Sequence, residues 1–234
     1  TEDARAAKLG YEKVSRLKLA AAQAFKDYVH GGGFMFAMCS ACDSYDIALA
    51  AAKTDICAVV FDGDPIAPDA QASLDYSRCF AFENFTLITD PMVYEFSDID
   101  TTPITGIAAR GDQGDYFTLF DFSAKYDPVP TMLTQCHTSV VKGFMGQTTG
   151  FNKTLVKKSV TIMGEVEGAD IVKYLHGNYG DGTFTFYGGH DPEDYRHQIG
   201  DPPTQLSLHK NSAGYGRILN NVLFAAGKEK KLKT

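Results

Sequence analysis

The chain has 234 residues, 44% hydrophobic and 22% charged, which suits one large packed domain and excludes a disordered chain. Twenty-two Lys and Arg stand against 29 Asp and Glu, a net charge of −7, so nucleic-acid binding through a basic face is not expected. No apolar run approaches the roughly 18 residues that cross a bilayer, and the basic run at 228–233 reads as a solvated tail.

Residues 3–29 read as a helix, with Val14, Leu17, Leu19, Ala22, Phe25 and Val29 at near-helical spacing, and Gly31, Gly32 and Gly33 end it. Residues 34–38 (Phe-Met-Phe-Ala-Met) form a continuous apolar run, the pattern of a strand buried on both faces. A second helix follows over 43–53. Helix, buried strand, sharp turn and helix predict a parallel α/β sheet. From about 55 to 159 the chain reads as a β-rich insertion, with short strands at 86–88, 92–96, 116–120, 131–133 and 140–144 between long loops. Strands follow at 160–163, 171–175 and 183–187, the last two joined by a turn over 178–182. A last helix, 214–226, carries Ile218, Leu219, Val222 and Leu223 on one face. A doubly wound sheet needs about five parallel strands. This chain supplies one clear strand–helix unit, so the first strands are expected upstream of Thr1, in a larger polypeptide.

The chemistry-bearing positions fall at two turns. Ala37-Met38-Cys39-Ser40-Ala41 places a thiol between small residues where a strand gives way to a helix, a relaxed nucleophile elbow. The helix start offers N–H groups, near Ser40, that lower a thiol pKa and can hold an oxyanion. Cys39 also reads as one more buried cysteine, or with Cys42 as a CxxC pair. The five cysteines, 39, 42, 57, 79 and 136, have no disulfide-framework spacing and read mostly as small core residues. The second turn is Gly188-Gly189-His190-Asp191-Pro192-Glu193, at the end of an apolar strand. A thiolate needs an imidazole as base, and the imidazole a carboxylate to orient it. His190 with Glu193 or Asp191 fits those roles if the two strand ends meet, and otherwise caps a turn. His176 reads as structural, and His137, His197 and His209 carry less information. Neither His190 with Asp191 and His197, nor Asp62, Asp64 and Asp69, has a metal-ligand spacing, so no metal or other cofactor is expected.

The residues from Gly32 to Ala41, with Asp43 and Ile47 to Ala50, resemble the class I glutamine-amidotransferase-like superfamily. The segment from Gly182 to Glu193, with Gly214, Tyr215 and Ile218 to Asn221, resembles the end of its ThuA-like members. The whole chain is similar to the C-terminal half of bacterial proteins labelled asparagine synthetase B. The resemblance implies a flavodoxin-like doubly wound sheet, a periplasmic or envelope location, and a small amide or sugar-like substrate. It also implies a possible protein partner, or the preceding part of the same polypeptide. Asparagine synthesis itself is not expected, because no Gly-rich phosphate loop with a lysine is present. In the classical amidotransferase triad one residue separates His and Glu; here Glu193 lies three residues after His190 and Asp191 is adjacent. Two functions are expected: a hydrolase using Cys39, His190 and Glu193 or Asp191, or a non-catalytic ligand-binding or envelope-assembly component on the same fold.

Overall fold

A computed structural model describes residues 2–101, 116–120, 128–129, 134, 137–144, 146, 148–190, 192–193 and 200–225. The N-terminal periodicity resolves into two helices, α1 (Glu2–Lys8) and α2 (Val14–His30), rather than one. Gly10, at a φ of 84°, falls between them, in a conformation that a helix cannot continue. After α2 come β1 (Phe34–Met38), α3 (Ala41–Ala50) and a single turn, α4 (Val59–Asp62). The later strands are β2 (Tyr116–Leu119), β3 (Val140–Lys142), β4 (Phe151–Asn152), β5 (Thr161–Val166), β6 (Ile171–Tyr179) and β7 (Gly182–Tyr187), followed by α5 (Ala213–Phe224).

These strands form one mixed seven-stranded sheet in the order β1-β7-β6-β5-β2-β3, with β4 added on β6. Among the described residues only β1 and β7 pair in parallel, and the other strand pairings are antiparallel. The class is therefore α/β, and the expected all-parallel sheet is replaced by one parallel pair continuing into an antiparallel meander. The reason is local. Gly180 and Asp181 form a two-residue turn that folds β7 back on β6 as a hairpin, Tyr179 opposite Gly182. In the region read as a β-rich insertion, 86–88 and 92–96 do not become strands. Leu87 makes one isolated bridge with Ser97, while 131–133 lies outside the described residues.

Both faces of the β1–β7 pair are covered, which explains its uninterrupted apolar sequence. Met35, Ala37, Phe184 and Phe186 pack with Ala22, Val29, Ile47 and Leu49 of α2 and α3. Phe36, Met38 and Tyr187 pack on the other side with Phe117, Phe144, Tyr174 and Ile218 of α5. Each buried phenylalanine contributes about 1.5–3 kcal/mol. The face of α5 that meets the sheet is the expected one at Ile218 alone. Leu219, Val222 and Leu223 are exposed, whereas Arg217 and Asn221 are fully buried. The sheet presents hydroxyls there: Asn221 Nδ2 donates to Tyr187 at 3.2 Å and Tyr174 at 3.4 Å, and the Arg217 guanidinium lies 5.9 Å from the Tyr174 ring centre. Among the described residues, no helix is long and apolar enough to cross a membrane.

Candidate active site

The parallel register sets Met38 beside Tyr187, so the turns that follow β1 and β7 leave the sheet side by side. Cys39 is the first residue of one turn and His190 the third of the other. The Cys39 N–H donates to the Tyr187 carbonyl at 2.9 Å, one bond beyond the ladder, and the chain then reverses sharply into α3. That reversal puts Cys39 at a φ of 57°. Left-handed backbone is strained for a residue with a side chain and gathers at functional sites. The strain and the small neighbours Ala37 and Ala41 are the features of a nucleophile elbow.

Cys39 is a buried residue, 8% exposed, yet its thiol pKa is lowered. Burial pushes it up; a hydrogen bond shared with His190 and N–H donors from Thr148 and Ser40 outweigh that and bring it down. The Thr148 N–H lies 3.5 Å from the sulfur. The other described cysteines behave oppositely. Cys42 is wholly buried, points its thiol at the Tyr187 carbonyl at 3.5 Å, and is pushed well up by burial. Burial, then Asp62, raises Cys57 to about 11, and burial also raises Cys79. Cys39 and Cys42 are both free thiols, so the CxxC pair is not joined. Cys136 lies outside the described residues.

A short strap, Gly146 with residues 148–150, lies beside the pair. A Cβ added at Gly146 would stand 2.9 Å from Cys39 Sγ, 2.9 Å from His190 Cδ2 and 3.0 Å from Gly189 Cα. Sulfur and imidazole therefore lie no farther apart than twice that distance, with only a glycine small enough to sit above both. The strap is pinned by the Gly189 N–H, which donates to the Thr148 carbonyl at 2.8 Å. Gly189 itself has a φ of 82°, the bend that turns the chain toward His190.

Of the carboxylates expected to orient His190, Glu193 lies 3.7 Å from the His209 ring, and Asp191 falls outside the described residues. His197 lies outside them too. His176 is buried and shares a 2.9 Å hydrogen bond with Thr185; burial lowers its pKa to about 4, so it is a neutral core group. Asp62 and Asp64 gather with Asp55 within 4.8 Å of one another, and the Lys13 ammonium bridges Asp55 and Asp64.

Three groups at this site have no mark in the sequence. Gly146 and Thr148 come from a segment with no motif. Tyr94 comes from the loop before Phe96; its hydroxyl hydrogen-bonds the Ser40 side chain, and it is raised by burial and then by the charges of Cys39, Asp43 and Asp100. Asp43, in the first turn of α3, is 2% exposed, and burial followed by the charge of Asp100 raises it to about 8. Asp46, one turn on, is also fully buried but answers three backbone donors, Phe80 at 2.6 Å, Ala81 at 2.8 Å and Phe82 at 2.9 Å. No family model matches the chain, and neither does any curated protein or solved structure.

Proposed function

We propose that this chain is a Cys-dependent amidase of the class I glutamine amidotransferase-like type, its β1–β7 pair being the core of a flavodoxin-like sheet. The observation that carries the reading is the strained Cys39, hydrogen-bonded to His190 across two neighbouring parallel strand ends. Ligand sites of open α/β sheets lie at the C-terminal ends of strands. His190 takes the Cys39 proton, and the sulfur attacks the amide carbonyl carbon. The N–H groups of Ser40 and Thr148, which point at the sulfur in the free protein, are placed to receive the oxyanion. As the C–N bond breaks, His190 returns the proton to the departing amine, leaving a thioester on Cys39. A water deprotonated by His190 then cleaves that thioester, releasing the acid and restoring the thiol. The resemblance to bacterial envelope proteins goes with a periplasmic location.

A second reading, a non-catalytic ligand-binding or assembly component on the same fold, is favoured by one observation. Gly146 stands against the sulfur, and Cys39 as a whole residue is only 8% exposed. The deciding experiment is ammonia release from a panel of primary amides by the wild-type chain, Cys39→Ser and His190→Gln, with trapping of the thioester by hydroxylamine. The amidase reading expects release that both substitutions reduce at least about 100-fold. Release absent from wild type, or equal in all three, supports the binding component.

A further inference from the structure

The amidase chemistry uses the N-terminal end of α3 and leaves the flank of that helix without a task. Beside the flank lies a cavity of about 220 Å³, walled by Ile47, Ala48 and Ile56 on one side and by Leu87, Ile88 and Phe96 on the other. Two hydroxyl residues, Ser44 and Thr89, complete the lining and are exposed. Hydrogen bonds hold the second wall in place and keep it from collapsing onto α3. The Leu87 N–H donates to Gln71 Oε1 at 2.8 Å, the Ile88 N–H to the Phe96 carbonyl at 2.9 Å, and the Asp98 N–H to the Thr86 carbonyl at 3.1 Å. Phe96 nonetheless stays 47% exposed, and apolar surface left open on a preformed cavity marks a binding site. The volume is below the roughly 300 Å³ that a whole ligand takes, yet above the roughly 150 Å³ that holds a benzene ring. It suits one apolar group of a larger molecule. The position says where the remainder lies. Ser40, Ser44, Ile47 and Ala48 recur at helical spacing on one face of α3, and the Ser44 N–H donates to the Ser40 carbonyl at 3.3 Å. The cavity therefore spans from about 6 Å to about 12 Å along the helix from Ser40. The opposite wall leads to the same point: the Tyr94 hydroxyl bonds the Ser40 side chain, and the Tyr94 ring centre stands 5.9 Å from that of Phe96.

Resting on the amidase reading for the reaction, we infer that this cavity receives the apolar acyl group of the substrate, and that the substrates are primary amides of medium-chain aliphatic acids. With the carbonyl carbon at Cys39 and its oxygen on the Ser40 N–H, the first methylenes run past Ser40 and Tyr94. Those beyond them enter the cavity and release water from Ile47, Leu87 and Ile88. A two-carbon acyl group ends before the cavity begins. A charged acyl group would lose its hydration against a lining that holds no counter-charge.

The test reads chain-length preference at Cys39 without needing amide turnover. Wild-type chain is treated with methyl, octyl and dodecyl methanethiosulfonates, each below the concentration at which it forms micelles. Labelling of the Cys39 peptide is followed by mass spectrometry, each rate being divided by that for a small free thiol. The octyl reagent is expected to exceed the methyl one by about tenfold or more, since each buried methylene is worth up to about fourfold. The cavity is finite, so dodecyl should add less than about twofold to octyl. Ala48→Phe fills the cavity and should bring the octyl-to-methyl ratio toward one while the methyl rate is kept. Leu87→Ala enlarges it and should let dodecyl exceed octyl. Val60→Ser, at an exposed apolar residue of α4, should leave every ratio as it was. Rates independent of chain length, a rise that continues through dodecyl in the wild type, ratios insensitive to both cavity substitutions, or no Cys39 labelling by any reagent overturns the inference. So does an octyl preference that fades as protein concentration is raised, which assigns the cavity to a second copy. Equal ammonia release from octanamide and acetamide removes the acyl site and keeps the amidase. Chain-length preference without ammonia release from any amide keeps the cavity as an apolar-ligand site and removes the amidase.

Discussion

Replacing Gly146 with alanine tests the pairing of sulfur and imidazole directly. The new methyl carbon would begin 2.9 Å from Cys39 Sγ and 2.9 Å from His190 Cδ2, with the Gly189 backbone 3.0 Å away on a third side. Unstrained contacts between such atoms start at about 3.5 Å, so the strap, the sulfur or the ring has to give by about 0.6 Å or more. Backbone hems in one side, and the easiest relief is to spread Cys39 and His190. Overpacking of this size costs about 1–3 kcal/mol of stability, which a domain of this size survives. Loss of the shared hydrogen bond removes the largest influence holding the thiol down, while burial continues to raise it. The assay is the rate of Cys39 alkylation by iodoacetamide against pH. Wild type should show a thiolate titrating below the ordinary range, and Gly146→Ala a profile shifted to higher pH. Misplacement by about 1 Å costs on the order of 100-fold in turnover, so ammonia release should fall by about that factor. A variant that folds and keeps the wild-type profile would refute the claim that Gly146 is required above a working pair.

Asp46→Ala strands the N–H groups of Phe80, Ala81 and Phe82 in the core, and urea unfolding should report a loss of about 3 kcal/mol or more. Asp43 keeps its proton in the fold up to about pH 8, against 3.8 for an ordinary aspartate, so the folded state binds the extra proton between those values. Its contribution to stability therefore declines as pH rises through that window, by at most about 1.4 kcal/mol per unit. Thermal melts of Asp43→Asn should lack this decline, gaining on wild type from about pH 4 to about pH 8; parallel curves would contradict the assignment. Cys42→Ala should leave the Cys39 alkylation profile within about twofold of wild type, since the Cys42 thiol faces the Tyr187 carbonyl in the core. A large change would revive a dithiol function.

The Cys39 turn was legible because every cue lies within a few residues: an apolar run, small neighbours and a helix start. The His190 turn was legible for the same reason, through its glycines and its preceding strand. What joins the two, the β1–β7 register, has no local signature. An apolar run buried on both faces has the same composition in a parallel and an antiparallel sheet, so the overall sheet reads as parallel even though the turn joining β6 to β7, which makes that pair antiparallel, is legible. Apart from Ile218, the face of α5 was misassigned for a related reason. Leu219, Val222 and Leu223 carry the apolar stripe, but the hydroxyls of Tyr174 and Tyr187 take Asn221 as a donor, and Arg217 is buried over the Tyr174 ring. Gly146, Thr148 and Tyr94 act through backbone position or a single hydroxyl, and ordinary loop sequence contains such residues everywhere. Glu193, read as an orienter from spacing alone, has His209 within 3.7 Å, a neighbour roughly sixteen residues farther along that spacing does not reveal.

The pairing of Phe34 with Thr183 closes a loop of roughly 150 residues, and pairings of such separation form late when a chain folds. Until β7 docks, the sulfur at position 39 has neither its imidazole nor the amide that steadies it from residue 148, and it behaves as an ordinary thiol. On the proposed amidase reading, a nascent or partly unfolded chain is thereby protected from its own chemistry. The same dependence makes fast thiol labelling at one residue a gauge of completed folding, independent of any substrate.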